Sequence, residues 1–231
     1  MNVVITGASG GIGYSTAIEF AQKGARKLVL ISRNREKLFR LKEALADYDS
    51  EVYIIPFDLT SSNIDELILE ISKSVKGVDV LINNAGAIAN KGFTEITSED
   101  FEKVINTNFR APFFIIQGLL PYFNKNAHII NISSMGGFQG SVKFPGLSVY
   151  SSSKGALATL TECLAAEYSE SGFSFNCVAL GSVQTEMLEM AFPGYKAQTS
   201  SDSIAEFICW FALNANKWMN GKIIPVSVST P

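Results

Sequence analysis

The chain has 231 residues, 47% hydrophobic and 18% charged, with a net charge of −3 and an isoelectric point near 5.3; that balance suits a globular core and excludes a disordered segment. The length fits one large α/β domain over 1–231 and is short for two. Scattered Lys and Arg leave no electrostatic footprint for nucleic acid, and three cysteines without C-x-x-C spacing beside a single histidine give neither a disulfide framework nor a metal site.

Asn2 to Ile5 reads as a short buried strand and Tyr14 to Lys23 as an amphipathic helix. Between them lies Thr6-Gly7-Ala8-Ser9-Gly10-Gly11-Ile12-Gly13. A glycine-rich turn of this kind lets backbone N–H groups and a helix N-terminus face a pyrophosphate with no Cβ in the way. The spacing is T-G-x-x-x-G-x-G, with Gly7, Gly11 and Gly13 in the fixed places, and differs from the usual G-x-G-x-x-G. A tight turn that binds nothing is the competing reading.

Lys27 to Ser32 is a second strand, followed by a helix from about Arg35 to Tyr48 with Leu38, Leu41 and Leu45 on one face. Glu51 to Pro56 is a third strand, Ser61 to Val75 a helix, and Val78 to Ile82 a fourth strand ending in Asn83-Asn84-Ala85-Gly86. A long helix begins near Thr97, with Ser98 as its N-cap, and runs to about Gly118 with a local disturbance at Pro112. A fifth strand (Ala127 to Ile132) is expected to hold His128 at a polar strand end. There follow a helix from Ser148 to Glu170, a sixth strand from Phe173 to Ala179, a helix from Ser203 to Asn214 and a last strand from Lys222 to Ser227.

Regular alternation with near-continuous apolar strands implies an α/β protein. Its core is a doubly wound parallel sheet of about seven strands with helices on both faces. The three cysteines read as small, reduced core residues. The longest apolar stretch, Ala111 to Phe123, is interrupted by Gln117 and Pro121 and is too short for a bilayer. No membrane partner is therefore expected, and with no signal peptide ahead of the first strand the expected address is cytoplasmic.

Ligands in such a sheet bind at the carboxyl ends of the strands. Polar or glycine residues follow each of the first six strands there. The glycine turn, with Ser9, Gly10 and Ile12, follows the first and Arg33 the second. Asp58 and Leu59 follow the third, Asn84 the fourth, Ser133-Ser134 the fifth, and Gly181 to Thr185, including Val183, the sixth. Tyr150 and Lys154, four apart on a helix, share a face. A phenol near pKa 10 needs help to act as an acid–base group at neutral pH, and a neighbouring ammonium supplies it. Ser134 is placed to donate to a substrate carbonyl oxygen, with Ser133 as an equal competitor. Asn108, polar within an apolar helix, either bonds its own backbone or holds a helix irregularity and a water near Lys154.

In combination Thr6 to Gly13, Asp58, Asn83 to Gly86, Asn108, Asn131 to Ser134, Tyr150-x-x-x-Lys154 and Asn176 to Thr185 resemble the short-chain dehydrogenases/reductases, in that family's order and over nearly the whole chain. The resemblance implies a single-domain Rossmann-like enzyme moving a hydride between NAD(P) and a carbonyl/alcohol pair. It implies Tyr150 as acid/base and Lys154 as pKa modulator and ribose ligand. Ser134, the second serine of its pair, becomes the carbonyl anchor and Asn108 the keeper of a proton-relay water. Asp58 would accept from the adenine amino group, and Asn84, Ala85 and Gly86 would line the ribose. Gly181, Val183 and Thr185 complete the cofactor edge. The family also implies pairing of the two long helices across a two-fold axis, as a homodimer or homotetramer.

Cofactor choice rests on Ser32-Arg33 at the end of the second strand. An NAD enzyme places an Asp there for the 2′-hydroxyl; Arg33 instead offers a guanidinium to a 2′-phosphate, so NADP is expected. Many NADP-preferring relatives carry a basic residue where this chain has Gly10, which leaves one cation in place of two. Residues 140–145 are an insertion that reshapes the pocket, and Leu180-Gly181 replaces the family's Pro-Gly. The segment 186–203 is the expected substrate lid. Its Met187, Leu188, Met190, Phe192 and Tyr195 line an apolar pocket or pack on a partner subunit. Two rival functions are a sugar-nucleotide epimerase or dehydratase and a non-catalytic NADP-sensing protein. The first needs an added substrate domain that this chain has no room for after its sixth strand. The second typically lacks the tyrosine or lysine.

Overall fold

The structure, a computed structural model, describes residues 1–60 and 63–228. In chain order it comprises β1 (Asn2–Thr6), α1 (Gly11–Gln22), β2 (Lys27–Ser32), α2 (Arg35–Ala44), β3 (Glu51–Pro56), α3 (Ile64–Ser74) and β4 (Val78–Asn83). Then come α4 (Ser98–Ile105), α5 (Ala111–Leu119), β5 (Phe123–Ser134), α6 (Ser148–Glu167) and β6 (Ser174–Leu180). The short β7 (Val183–Gln184), α7 (Glu186–Ala191) and β8 (Thr199–Ser200) precede α8 (Ser201–Asn214) and β9 (Ile223–Val226).

Seven strands form one sheet in the order β3-β2-β1-β4-β5-β6-β9, every pairing parallel. Side chains alternate across a strand, so Val3 and Ile5 of β1 join a core with Phe20 of α1, Leu41 of α2 and Phe211 of α8. Val4, between them, joins the opposite core with Leu67 of α3 and Ile115 of α5. Both sheet faces are thus covered, which is why the strands read as continuous apolar runs. From β1 the chain steps out to β2 and β3, then returns to the other side at β4. That reversal opens a crevice beyond Thr6 and Asn83.

The elements depart from the sequence expectation where local chemistry intervenes. The long helix is capped by Thr97, not Ser98. Thr97 Oγ1 accepts from the Asp100 N–H at 3.1 Å while the Asp100 carboxylate accepts from the Thr97 N–H at 3.2 Å. The helix is broken between α4 and α5 by a π turn over Asn106–Arg110, where the Ala111 N–H reaches back to the Asn106 carbonyl. The disturbance thus precedes Pro112 and does not centre on it. β5 begins at Phe123 and not Ala127, with an irregularity against β4 between Val78 and Val80. His128 is consequently mid-strand and buried, not at a polar strand end. Its Nδ1 lies 3.0 Å from the Ala212 carbonyl and its Nε2 3.0 Å from Asn176 Nδ2. Cys177 and Cys209 are buried, whereas Cys163 is exposed on α6 and is no core residue. The expected start of α3 at Ser61 lies outside the described residues.

A buried polar ladder ties the sheet centre to α6. Asn83 donates to Asn131 at 2.9 Å, Asn131 to Thr161 Oγ1 at 2.9 Å, and Thr161 to the Leu157 carbonyl at 2.9 Å. These bonds fix the rotation of α6 about its axis, and with it the direction in which Tyr150 and Lys154 point.

Candidate active site

A cavity of about 660 Å3 follows the carboxyl ends of the strands. Its floor is the β1–α1 turn, whose glycines are required by space. A Cβ on Gly7, where φ is +68°, would lie 2.8 Å from Ala85 Cα, and one on Gly13 would fall on the Gly7 carbonyl oxygen and the Asn84 amide. Gly11, at φ +52°, faces Thr185, whose Cγ2 would lie 3.0 Å from a Cβ there. Thr6 Oγ1 accepts from the backbone N–H groups of Asn84 and Ala85, both at 3.1 Å. The Asn84 amide donates to the carbonyls of Thr6 at 3.0 Å and Gly7 at 3.3 Å. The β1 and β4 ends are thereby bolted together, and the first turn of α1 is left bare: no side chain caps it at Gly10. Free N–H groups at a helix N-terminus suit a pyrophosphate, so this cradle fits a dinucleotide.

Beyond it α6 brings Tyr150 and Lys154 to the cavity, and the end of β5 brings Ser134. Tyr150 is hydrogen-bonded to the Ser134 side chain. Ser134 Oγ also accepts from the Gly136 N–H at 3.1 Å. The buried Ser133 instead donates to the Lys154 carbonyl at 2.9 Å. Of the two serines, Ser134 is therefore the one beside the phenol. Lys154 Nζ donates to the Ile132 carbonyl at 2.7 Å, leaving two of its three donors. Burial lowers its pKa to about 8 against a smaller opposing influence of Cys177. The Tyr150 phenol is held above its ordinary value, by burial first, with the Ser134 bond partly offsetting it. The expected lowering of the phenol by its ammonium neighbour is absent, and Lys154 is engaged with Ile132.

Asn108 sits at the centre of the π turn, fully buried. Its Oδ1 accepts from the Ala87 N–H at 2.7 Å, and its Nδ2 donates to the Ala87 carbonyl and to Ser153 Oγ, both at 2.9 Å. It does not bond its own backbone; it clamps the segment after β4 to α6. Gly86 lies between, its Cβ position 3.7 Å from both Asn108 Oδ1 and Lys154 Nζ.

At the far end Ser9 and Ser32 share a hydroxyl bond of 2.6 Å. Arg33 is exposed and forms no ion pair among the described residues. Asp58 Oδ1 accepts from Thr60 N–H at 3.0 Å and Oγ1 at 2.9 Å. Every expected site residue lines the cavity except Gly13, which packs behind the turn, and Asn108, which braces it from outside. Several lining residues were not foreseen: Lys37, Ile88, Thr107 and Leu147. Lys37 had a readable signal, four residues after Arg33 in the first turn of α2. The others meet the cavity only through packing. Met187, Leu188, Met190, Phe192 and Tyr195 all line it as well, which favours their reading as a pocket wall.

A sequence model of short chain dehydrogenase matches residues 1–196. An uncharacterized oxidoreductase of Staphylococcus aureus (strain USA300) is 30% identical over 226 residues, covering 96% of this chain and 95% of the relative. Among solved structures, ElxO with NADP bound is 30% identical with a TM-score of 0.85, covering 98% of this chain and 96% of that one. The fold is also that of a 3-ketoacyl-(acyl-carrier-protein) reductase from Brucella melitensis solved with NADH, 22% identical at a TM-score of 0.87, with 97% and 96% covered. The glycine cradle, the parallel sheet and these matches over most of its length establish that the chain belongs to the short-chain dehydrogenase family, as an oxidoreductase of CH–OH groups that works with a nicotinamide cofactor.

Proposed function

We propose that the protein is an NADP(H)-dependent reductase of ketones or aldehydes, running in reverse on secondary alcohols, with Tyr150 as its acid–base group. The carrying observation is that Ser134, Tyr150 and Lys154 converge at the end of a cavity whose other end is a phosphate-ready glycine turn. When bound, the reduced nicotinamide supplies a hydride to the carbonyl carbon. Ser134 and Tyr150 both donate to the carbonyl oxygen, stabilising charge as it develops there. Tyr150, kept as a neutral phenol, then gives its proton to that oxygen. Lys154, one helical turn on and anchored to the Ile132 carbonyl, keeps its remaining donors for the ribose. Asn108 is a positioning residue that keeps Ala87 and α6 in register; the water it is expected to keep for a proton relay belongs to this same reading.

NADP is preferred over NAD because β2 ends in Ser32-Arg33, with no carboxylate there to accept from a 2′-hydroxyl. Arg33 is open to a 2′-phosphate, and ElxO, the 30% identical structure, carries NADP. The segment 186–203 forms the lid. Its apolar side chains, with Phe144 from the insertion, point to an apolar carbonyl compound as substrate. Replacing Tyr150 with Phe is expected to leave NADPH binding within about two-fold and to lower turnover by roughly 10²–10⁴. A fluorescence titration and an NADPH absorbance assay over a carbonyl panel, NADH in parallel, check both. Undiminished turnover removes Tyr150 from the reaction.

A further inference from the structure

Lys37, in the first turn of α2, points into the cavity beside Arg33 and the Ser9–Ser32 hydroxyl pair. Its ammonium is bonded to both oxygens of Glu186, at 3.0 and 2.7 Å. Glu186 opens α7, immediately after Thr185, whose hydroxyl caps that helix through the Leu188 N–H. One ion pair therefore joins the nucleotide end of the cavity to the segment that covers its substrate end. Both partners are exposed to solvent, 40% and 76%, so the pair is held loosely and is open to competition from a stronger anion. Two cations and two hydroxyls gathered at one end form a donor set suited to a phosphate dianion, whereas the 2′-hydroxyl of NADH offers no charge to draw Lys37 away from its carboxylate.

We propose that Lys37 is the second cation for the 2′-phosphate and that Glu186 is its built-in competitor, so that NADPH, and not NADH, takes Lys37 from the lid helix. This rests on the nucleotide-binding reading above. The cation absent at Gly10 is supplied four residues after Arg33, on the facing element. Glu186 lowers the affinity for NADPH by occupying Lys37, and the 2′-phosphate in turn frees the first turn of α7 from α2.

The test is equilibrium binding of NADPH and of NADH by nicotinamide fluorescence, without a carbonyl compound, to wild type, Lys37→Gln, Glu186→Gln and the double variant. Lys37→Gln is expected to weaken NADPH by about ten-fold, the scale of one charge-assisted contact, with NADH changed by less than about two-fold. Glu186→Gln should tighten NADPH several-fold and leave NADH alone, and that gain should vanish in the double variant. Equal effects on both nucleotides, no effect of Lys37→Gln, or a Glu186→Gln gain that survives without Lys37 would each overturn the exchange. If wild type binds neither nucleotide, the proposed function falls and this inference with it. Binding of both with an insensitive ratio sinks the inference alone.

Discussion

Lys154 shows at the residue scale how an active site is held against the stability of its own fold. Its ammonium is buried and meets one carbonyl, that of Ile132. Its pKa falls from 10.5 to about 8. Below pH 8 the group is charged in both folded and unfolded chains, and folding bears the full desolvation cost, roughly 3 kcal/mol from the two pKa values. Above about 10.5 it is neutral in both and the cost is gone. Lys154→Met is therefore expected to unfold at a higher temperature than wild type at pH 7 while losing turnover. That advantage should shrink as pH rises from 8 towards 10.5, read by thermal melts across that range. His128 has a pH profile of the same sign, at lower pH. Burial lowers its pKa to about 4, so its stabilising contribution is complete above 6.5 and is lost as pH falls through 4. His128→Gln should flatten stability between those values in urea titrations. Tyr150 and Lys154 were legible in the sequence because their spacing puts them on one helix face and the helix follows the strand that ends in Ser133-Ser134. The height of the Tyr150 pKa was not legible, because it depends on burial and on where Lys154 spends its donors.

Among elements, α1 separates two kinds of glycine that look alike in sequence. Gly10 precedes the helix with an extended backbone, and a Cβ there meets nothing within 4 Å. Gly13, one turn in, has no such room. Gly10→Ala should shift stability by less than about 1 kcal/mol. Gly13→Ala should cost at least about 1–3 kcal/mol by overpacking and weaken NADPH binding, measured by urea unfolding and fluorescence titration. The strands, the turn and the order of the elements follow from period, glycine spacing and apolar runs, and they were read with boundaries off by a few residues. For the break in the long helix the sequence offered two places, Pro112 and an irregularity held by Asn108, and the structure takes the second. The choice could not be read in advance, because it is set by Asn108 reaching across to Ala87 and Ser153. The Asn83–Asn131–Thr161 ladder was hidden in the same way, since each partner lies on a different element.

For the whole molecule, the question is what covers the outer faces of α4, α5 and α6. Phe101 and Phe114 are 52% and 39% exposed there, while the outer face of α6 presents Ser152, Thr159 and Cys163. Large apolar side chains beside a smooth, small-residue face suit a self-complementary two-fold contact. Trp210 on α8, which packs on the opposite side of the sheet, and Trp218 after it are 54% and 72% exposed and offer further apolar surface. One face used gives a dimer, and both give a tetramer. The chain is therefore expected to sediment as an oligomer at micromolar concentration, and Phe114→Glu to reduce its size. The thiols report independently. Cys177 and Cys209 are buried, with pKa values pushed up to about 12 by that burial, and stay silent to an aromatic disulfide reagent at pH 7. Cys163, exposed in the single chain, should be protected in wild type and react once per chain in Phe114→Glu. A wild-type protein that sediments as a monomer and yields one fast thiol would show that these faces meet water.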